Sequence, residues 1–117
     1  FASGAAFLPQ ASFAVYAASK AYVYSFSRAL AKELRERGIT VTAVCPGPVN
    51  TPFLQHAYGE LSRLNGLKKM TMAQTECVVA KAMEDCKKKK EVSICGLPMW
   101  ALYAATQTTQ NLLQKFT

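Results

Sequence analysis

The longest regular pattern in the chain is helical and lies near its N-terminus. Residues 14–37 contain neither glycine nor proline, with Ser12 as a candidate N-cap and Gly38 as a candidate residue beyond the C-terminus. The first half of this segment is apolar or small on nearly every side, whereas the second half is charged. The pattern predicts a helix over residues 14–37, with its first half buried all round and its last turns facing water.

Shorter apolar segments predict strands. Residues 1–11 are small and apolar and indicate the end of a strand that passes into a loop. Residues 39–44 are rich in β-branched side chains and predict a short buried strand, which the Cys-Pro-Gly-Pro sequence at 45–48 ends. A helix, a glycine and a buried strand form the return half of a βαβ unit, so the predicted fold is α/β with a parallel sheet.

The second half of the chain predicts two further helices. Residues 49–71 are mixed and predict a loop with one or two short helices. A helix should follow over residues 73–88, with Thr71 as its N-cap and Gln74 at the capping-box position. Residues 92–95 predict one more short strand, and a C-terminal helix is expected after Pro98.

Composition indicates one modest globular domain. The chain has 117 residues, half of them hydrophobic. It starts with Phe1, and its first residues lack the basic region of a signal peptide, so we expect the chain to begin inside a longer sequence. No run reaches the roughly 18 apolar residues that a membrane span needs, and we expect neither a membrane nor a nucleic-acid partner.

Charge and cysteine content add little chemistry. Four lysines at positions 87–90 supply much of the net charge of +7, and we interpret them as the solvated last turn of a helix. The four cysteines form no CxxC pair, and His56, the single histidine, is interpreted as an exposed loop residue. We therefore expect no metal site, and we expect buried, reduced thiols in a cytoplasmic protein.

Candidate chemistry begins with Tyr16 and Lys20, which lie four residues apart on the predicted first helix and so share one face. Tyrosine is a weak acid, with a reference pKa of about 10. A nearby ammonium favours the phenolate form, so such a pair can serve as a general acid and base. The pair alone is a weak signal, because short motifs arise by chance.

Two further features lie where the chemistry of α/β sheets gathers. Ser3 stands at the predicted carboxyl end of a strand, thirteen residues before Tyr16. The sequence PGPVNT at 46–51 follows the next strand and so lies at the same edge. In it, Gly47 allows close approach to the backbone and Thr51 offers a hydroxyl.

These residues together resemble the short-chain dehydrogenase/reductase family. The resemblance rests on Ser3, the YAASK sequence at 16–20 and the PGPVNT sequence at 46–51, in the family's order and spacing. It extends from Ser3 to Phe53, slightly under half the chain, and the rest fits in layout only. It implies that residues 1–117 are the C-terminal, catalytic part of one Rossmann-type, doubly wound, NAD(P)-binding domain, with the N-terminal cofactor-binding half absent.

The resemblance also implies an activity, namely hydride transfer between NAD or NADP and a carbonyl compound or secondary alcohol. Tyr16 would be the catalytic acid and base, Lys20 would favour its ionised form and bind the nicotinamide ribose, and Ser3 would polarise the substrate oxygen. Cofactor contacts would come from Tyr16 and Lys20 and from the turn at 46–51, through Pro46, Gly47, Val49 and Thr51.

Further implications concern the substrate and self-association. Residues in the segment that covers the substrate in the family are apolar and suggest a substrate with an apolar end: Phe53, Leu54, Tyr58, Leu61 and Leu64. Trp100 and Tyr103 would close the same pocket. The first helix, which carries Tyr22, Tyr24 and Phe26, would form a homo-oligomer interface in the full-length protein.

The departures from the family are equally specific. The chain has no glycine-rich phosphate loop, no residue at the position that selects NAD or NADP, and no counterpart of the family's catalytic asparagine. We therefore expect the 117-residue chain alone to be inactive. One alternative is a catalytically inactive fragment that self-associates through its first helix. Another is a peripheral membrane binder that uses the lysines at 87–90 and the apolar segment 97–105.

Overall fold

The computed structural model of the chain describes residues 1–9, 11–49 and 73–115. Its described residues form an α/β unit, in agreement with the predicted fold class. Two short strands, β1 (Ala43–Val44) and β2 (Val92–Ser93), pair with each other. Three α-helices surround them: α1 (Ala14–Glu33), α2 (Thr75–Lys87) and α3 (Leu97–Lys115). Short 3₁₀ helices cover Gly4–Ala6 and Arg35–Arg37.

The sheet is parallel and continues into the N-terminal residues. In its register Ala43 pairs with Val92 and Val44 with Ser93. On the other side of β1, the Ala2 amide donates to the Val44 carbonyl at 2.9 Å, and the Gly4 amide donates to the Pro46 carbonyl at 2.8 Å. The first residues therefore run alongside β1 as a third parallel segment, where the sequence predicted the end of a strand.

Both predicted strands are present, but β1 is shorter than expected. The sequence predicted a strand over residues 39–44, whereas only Ala43–Val44 pairs in the sheet. Ile39 is half exposed, and Thr40 is exposed as well. β2 falls inside the segment predicted for it, at residues 92–95.

Helix α1 begins where the sequence predicted but ends earlier. After Glu33 the chain tightens into the 3₁₀ turn Arg35–Arg37, and Gly38 follows in the left-handed conformation with φ of 73°. The Gly38 amide donates to the Arg35 carbonyl at 3.0 Å. Gly38 thus stops the helical segment as predicted, because a residue without Cβ adopts this conformation without steric cost.

The N-cap predicted at Ser12 and the capping-box position predicted for Gln74 are wrong. Ser12 has a φ of 66°, and Phe13 occupies the N-cap of α1 without a side-chain hydrogen bond. Gln74 is itself the N-cap of α2, also without a side-chain hydrogen bond, and does not sit at a capping-box position. Thr71 lies outside the described residues. A left-handed Ser12 cannot cap α1, because an N-cap residue normally has extended backbone angles.

The expectation that the first half of α1 is buried all round is also wrong. Its buried positions, Ala17, Tyr24 and Ala31, recur every seven residues and form one stripe. On other faces Val15 is 86% exposed and Tyr22 is 69% exposed, with the Tyr22 ring stacked on Phe26 at 6.0 Å between centroids. The helix therefore has one face on the core and a second apolar face in contact with water.

A compact core lies between α1, the sheet and α3. Its buried members are Ala2, Tyr24, Ala43 and Cys45. The Phe7 ring packs edge-on against Tyr24 and also against Tyr103 of α3, each at 5.4 Å between centroids. Burial raises the pKa of Tyr24 to about 12, and its hydroxyl accepts a hydrogen bond from Arg28 at 3.3 Å.

A buried carboxylate joins α2 to β2. The Asp85 side chain is 2% exposed and accepts hydrogen bonds from Ser93 Oγ, Lys81 Nζ and Lys90 Nζ, each at 2.9 Å. Lys88, the C-cap residue of α2, pairs with Glu84. The four lysines at 87–90 are exposed as predicted, but α2 ends at Lys87, so the other three lie beyond its last turn.

Helix α3 starts one residue before Pro98 rather than after it. Proline is tolerated in a first helical turn, because its missing N–H would have no partner within the helix. Gly96, with φ of 96°, turns the chain into this helix. Within the described parts of the chain, no helix combines the length and apolar character needed to cross a membrane.

The cysteines are free, and their burial differs from the prediction. Cys45 is buried, but Cys77 and Cys86 are exposed and Cys95 is intermediate. The expectation of buried thiols is therefore wrong for Cys77 and Cys86.

Candidate active site

Two turns meet at the carboxyl edge of the sheet. One is the 3₁₀ turn that follows Ser3, and the other is the proline–glycine turn that follows β1. The hydrogen bond from the Gly4 amide to the Pro46 carbonyl joins them directly. Ser3 and Gly47 are thus held on neighbouring segments of one edge, which is where open α/β sheets bind their ligands.

Ser3 is positioned by its own turn. Its backbone is extended, with φ of −168° and ψ of 158°, and its Oγ accepts a hydrogen bond from the Ala5 amide at 3.2 Å. This contact caps the 3₁₀ helix Gly4–Ala6 and fixes the side chain. A hydroxyl that accepts one hydrogen bond still carries its own hydrogen, so Ser3 can donate to a substrate oxygen.

Tyr16 and Lys20 lie together on the first turns of α1. The Lys20 Nζ is 5.6 Å from the centroid of the Tyr16 ring, and both side chains are half-buried. Lys20 Nζ also donates to the Phe1 carbonyl at 3.3 Å. The ammonium therefore links the tyrosine on the helix to the segment that leads into Ser3.

The turn after β1 is half-buried from Pro46 to Val49. Val49 forms a parallel bridge with Ala73, whose amide donates to the Pro48 carbonyl at 3.0 Å. This bridge ties the turn to the chain that enters α2. Thr51 lies outside the described residues, as do His56 and the apolar residues predicted to cover a substrate.

Met99 is a site residue that the sequence did not indicate. It reaches from α3 across both turns: a Cβ at Gly4 would lie 2.5 Å from its Sδ, and a Cβ at Gly47 would lie 3.1 Å from its Cε. Each glycine leaves the space that the methionine fills. The signal available was the pair of glycines after two strand ends, which points to close packing but not to its partner.

The closure of a substrate pocket by the aromatic residues of α3 stays a prediction, because the segment predicted to cover the substrate lies outside the described residues. Tyr103 packs in the core against Phe7, and Trp100 is 58% exposed. Among the described residues, no group of three or more histidine, cysteine, aspartate or glutamate side chains could hold a metal ion.

Comparison with known proteins gives a family and several relatives for this chain. The sequence profile of the short chain dehydrogenase family matches residues 1–61. The 17-beta-hydroxysteroid dehydrogenase type 3 of Mus musculus is 33% identical over 81 residues, which cover 64% of this chain and 27% of that protein. The 3beta-hydroxysteroid dehydrogenase 1 of Eggerthella lenta is 51% identical over 46 residues, 39% of this chain and 18% of that protein.

A plant protein also matches part of the chain. The chloroplastic NADPH-dependent aldehyde reductase 1 of Arabidopsis thaliana is 40% identical over 55 residues, which cover 47% of this chain and 19% of that protein. The matches thus span about a quarter or less of the length of these relatives. No solved structure matches the chain. With more than half of its residues matched by the family profile, the chain belongs to the short-chain dehydrogenase/reductase family.

Proposed function

We propose that the protein containing this chain is an NAD(P)-dependent oxidoreductase that interconverts a carbonyl compound and a secondary alcohol, with Tyr16 as its acid and base. The observation that carries the proposal is the Tyr16–Lys20 pair, whose ammonium lies 5.6 Å from the tyrosine ring and bonds the Phe1 carbonyl. This contact ties the pair to the sheet edge that holds Ser3 and the turn after β1.

The residues present fit the nicotinamide end of the cofactor. Gly47 lies at the carboxyl edge, where the flexible side chain of Met99 fills the space beside it. Pro46, Gly47 and Val49 would lie against the nicotinamide, and Thr51 would bind its carboxamide or the pyrophosphate. Tyr16 and Lys20 would bind the adjoining ribose. A bound nicotinamide supplies or accepts the hydride, whereas the protein supplies placement and the proton.

Proton transfer follows from the arrangement of the side chains. In the reducing direction Tyr16 donates its phenolic proton to the carbonyl oxygen, and the Lys20 ammonium stabilises the phenolate that remains. The Ser3 hydroxyl donates to the same oxygen and holds it in place, since its own turn fixes its position. In the oxidising direction the Tyr16 phenolate removes the proton from the alcohol.

The substrate proposal rests on the relatives and on the apolar residues between positions 53 and 64, which the family resemblance places over the substrate. Two of the relatives bear the names of hydroxysteroid dehydrogenases and one that of an aldehyde reductase. We propose a small carbonyl or alcohol substrate with an apolar end. The chain would be the C-terminal part of one Rossmann-type domain in a cytoplasmic protein, with the rest of the sheet continuing beyond residues 1–4.

The test compares two tyrosines of the same helix. In the longest polypeptide that carries this sequence, Tyr16→Phe should lower the turnover of ketone reduction by roughly 10²–10⁴-fold, the usual contribution of a general acid. Affinity for NADH or NADPH should stay nearly unchanged. Tyr22→Phe is the matched control, because Tyr22 is 69% exposed, and it should retain activity. Unchanged turnover in Tyr16→Phe would refute the assignment.

The competing proposal is a self-association module without catalysis. It is favoured by the exposed apolar face of α1, where Val15 is 86% exposed and the rings of Tyr22 and Phe26 stack. The same face would serve as the homo-oligomer interface of an active enzyme. Phe26→Asp should shift the protein to a smaller species in size-exclusion chromatography under either proposal, whereas only an enzyme loses turnover in Tyr16→Phe.

A further inference from the structure

Two thiols meet at the point where α2, β2 and α3 come together. Cys77 lies in the first turn of α2, and Cys95 lies between β2 and α3. Their sulfur atoms are 2.9 Å apart. Cys77 is exposed, Cys95 is partly buried, and both are free thiols.

Buried contacts hold together the two elements next to these thiols, α2 and β2. Asp85 of α2 is 2% exposed and accepts a hydrogen bond from Ser93 of β2 at 2.9 Å. Val78, the neighbour of Cys77, is buried as well. Because these contacts hold α2 and β2 together, the pair stays within reach of bond formation. A disulfide needs its sulfurs roughly 0.9 Å closer than this.

We propose that Cys77 and Cys95 are a modification site that forms a reversible disulfide by exchange with a small-molecule disulfide of the glutathione class. The Cys77 thiolate attacks one sulfur of the oxidant, and a glutathione thiolate leaves. The Cys95 thiol loses its proton and attacks the Cys77 sulfur of the mixed disulfide, and the second glutathione thiolate leaves. Two protein thiols are oxidised to one disulfide, the glutathione disulfide is reduced to two thiols, and these take up the two protons.

Accessibility and acidity set this order. Cys77 is open to solvent, so the oxidant can reach it first. The hydrogen bond with Cys77 and then burial raise the pKa of Cys95 to about 11, so this thiol is protonated at neutral pH. Once Cys77 is in a mixed disulfide, the proton of Cys95 no longer bridges two free thiols, and Cys95 acts as the resolving cysteine.

The other two cysteines lack this combination. Cys45 is fully buried in the core, where burial raises its pKa to about 11. Cys86 is exposed on α2 but lies at the opposite end of the helix from Cys77. In a reducing compartment, protein disulfides are usually transient and redox-sensing, which fits a pair that is reduced and already in contact.

The bond would fix the chain where it enters α3. Cys95 lies two residues before Leu97, the first residue of α3, and Met99 of that helix fills the space beside Gly4 and Gly47. The disulfide therefore clamps the element that rests on both turns of the sheet edge. Its formation does not depend on the proposed oxidoreductase activity, so the two proposals fail separately.

The experiment equilibrates the purified protein with mixtures of reduced and oxidised glutathione, blocks the remaining thiols, and maps disulfides by mass spectrometry of non-reduced digests. Under native conditions the peptide joining Cys77 to Cys95 should dominate. The equilibrium constant for forming this disulfide with glutathione should be about tenfold or more larger in the native chain than in the same chain in denaturant. Oxidation should also raise the Tm by roughly 10 °C, because the bond closes a loop in the unfolded chain.

Three variants make the test specific. Cys77→Ser and Cys95→Ser should each abolish the oxidation-dependent rise in Tm, and Cys95→Ser should leave Cys77 as a stable mixed disulfide. Cys86→Ser is the matched control and should behave like the wild type. A native chain that gives the same mixture of pairs as the denatured chain, or that stops at the mixed disulfide on Cys77, would overturn the proposal.

Discussion

Asp85→Asn removes the negative charge at the junction of α2 and β2 while keeping the size of the side chain. In the structure the carboxylate is 2% exposed, and its Oδ1 accepts from Lys81 Nζ and Lys90 Nζ, each at 2.9 Å. Its Oδ2 accepts from Ser93 Oγ at the same distance. The asparagine amide can still bond Ser93, but it can no longer balance two ammonium groups.

The size of the effect follows from burial and from exposure of the partners. Removing one partner of a fully buried ion pair costs about 3–5 kcal/mol. Here the lysine side chains are 34% and 50% exposed, so solvent screens both pairs. We therefore expect Asp85→Asn to lower the free energy of unfolding by about 2 kcal/mol at pH 7, which corresponds to a shift of the urea midpoint of roughly 1 M.

The pH dependence has a defined sign. Burial raises the pKa of Asp85, but hydrogen bonds from Lys81, Lys90 and Ser93 outweigh it and hold the pKa below its ordinary value. A depressed pKa contributes stability above the pKa of the unfolded chain, about 3.9 for aspartate, and this stability is lost as the pH falls through the folded value. The gap between wild type and Asp85→Asn should thus be constant from neutral pH down to about pH 5 and shrink below about pH 4.

Urea unfolding at neutral and acidic pH, followed by circular dichroism, measures this gap. Glu84→Gln is the control on the same helix: Glu84 pairs with Lys81 and Lys88, but its side chain is 49% exposed, so this variant should lose far less stability. An Asp85→Asn protein as stable as the wild type at pH 7 would refute the reasoning. A gap that persists unchanged at pH 3 would refute the electrostatic part.

Further substitutions test the site and the backbone. Lys20→Ala should weaken NAD(P)H binding and lower turnover together, because one ammonium serves both. Titration measures binding and steady-state kinetics measure turnover, and a loss of turnover with unchanged binding would contradict this. Gly4→Ala should cost about 1 kcal/mol of stability, since the new Cβ meets the flexible side chain of Met99. A double-mutant cycle with Met99→Ala should show coupling, and additive effects would contradict the contact. Gly38→Ala should lower the free energy of unfolding by about 1 kcal/mol in urea, because its φ is 73° and the added Cβ introduces only backbone strain. Lys89→Gly should instead stabilise the protein, because Lys89 has a φ of 57°, and effects of the opposite sign would contradict the backbone conformation at these positions.

The order of elements could be predicted because local patterns determine it. The absence of glycine and proline over residues 14–37 and the left-handed Gly38 follow from backbone preferences that act within a few residues. The two strands follow from β-branched and apolar runs between turn residues. Tyr16 and Lys20 share a face through helical geometry alone, so their proximity could also be predicted from the sequence.

Burial and the N-caps could not be predicted, since both depend on distant partners. Ala17, Tyr24 and Ala31 differ little in character from Val15 and Tyr22, yet only the first group faces the core. In a segment that is apolar on nearly every side, the pattern does not say which stripe is covered. Ser12 has the right chemistry for an N-cap, but its φ of 66° is set by how the chain enters the helix.

The sheet edge shows why a motif in the sequence becomes a site only through tertiary contacts. Lys20 reaches the Phe1 carbonyl, and the Gly4 amide reaches the Pro46 carbonyl, so backbone groups fix the spacing between the helix and the two turns. These backbone hydrogen bonds do not depend on which side chains the residues carry. Met99 makes residue identity matter at Gly4 and Gly47, because a Cβ at either position would press on it. A residue from α3 thus disfavours larger side chains on two turns that precede it in the chain. The C-terminal helix is therefore part of the architecture of this edge, and its packing should be as sensitive to substitution as the motif residues themselves.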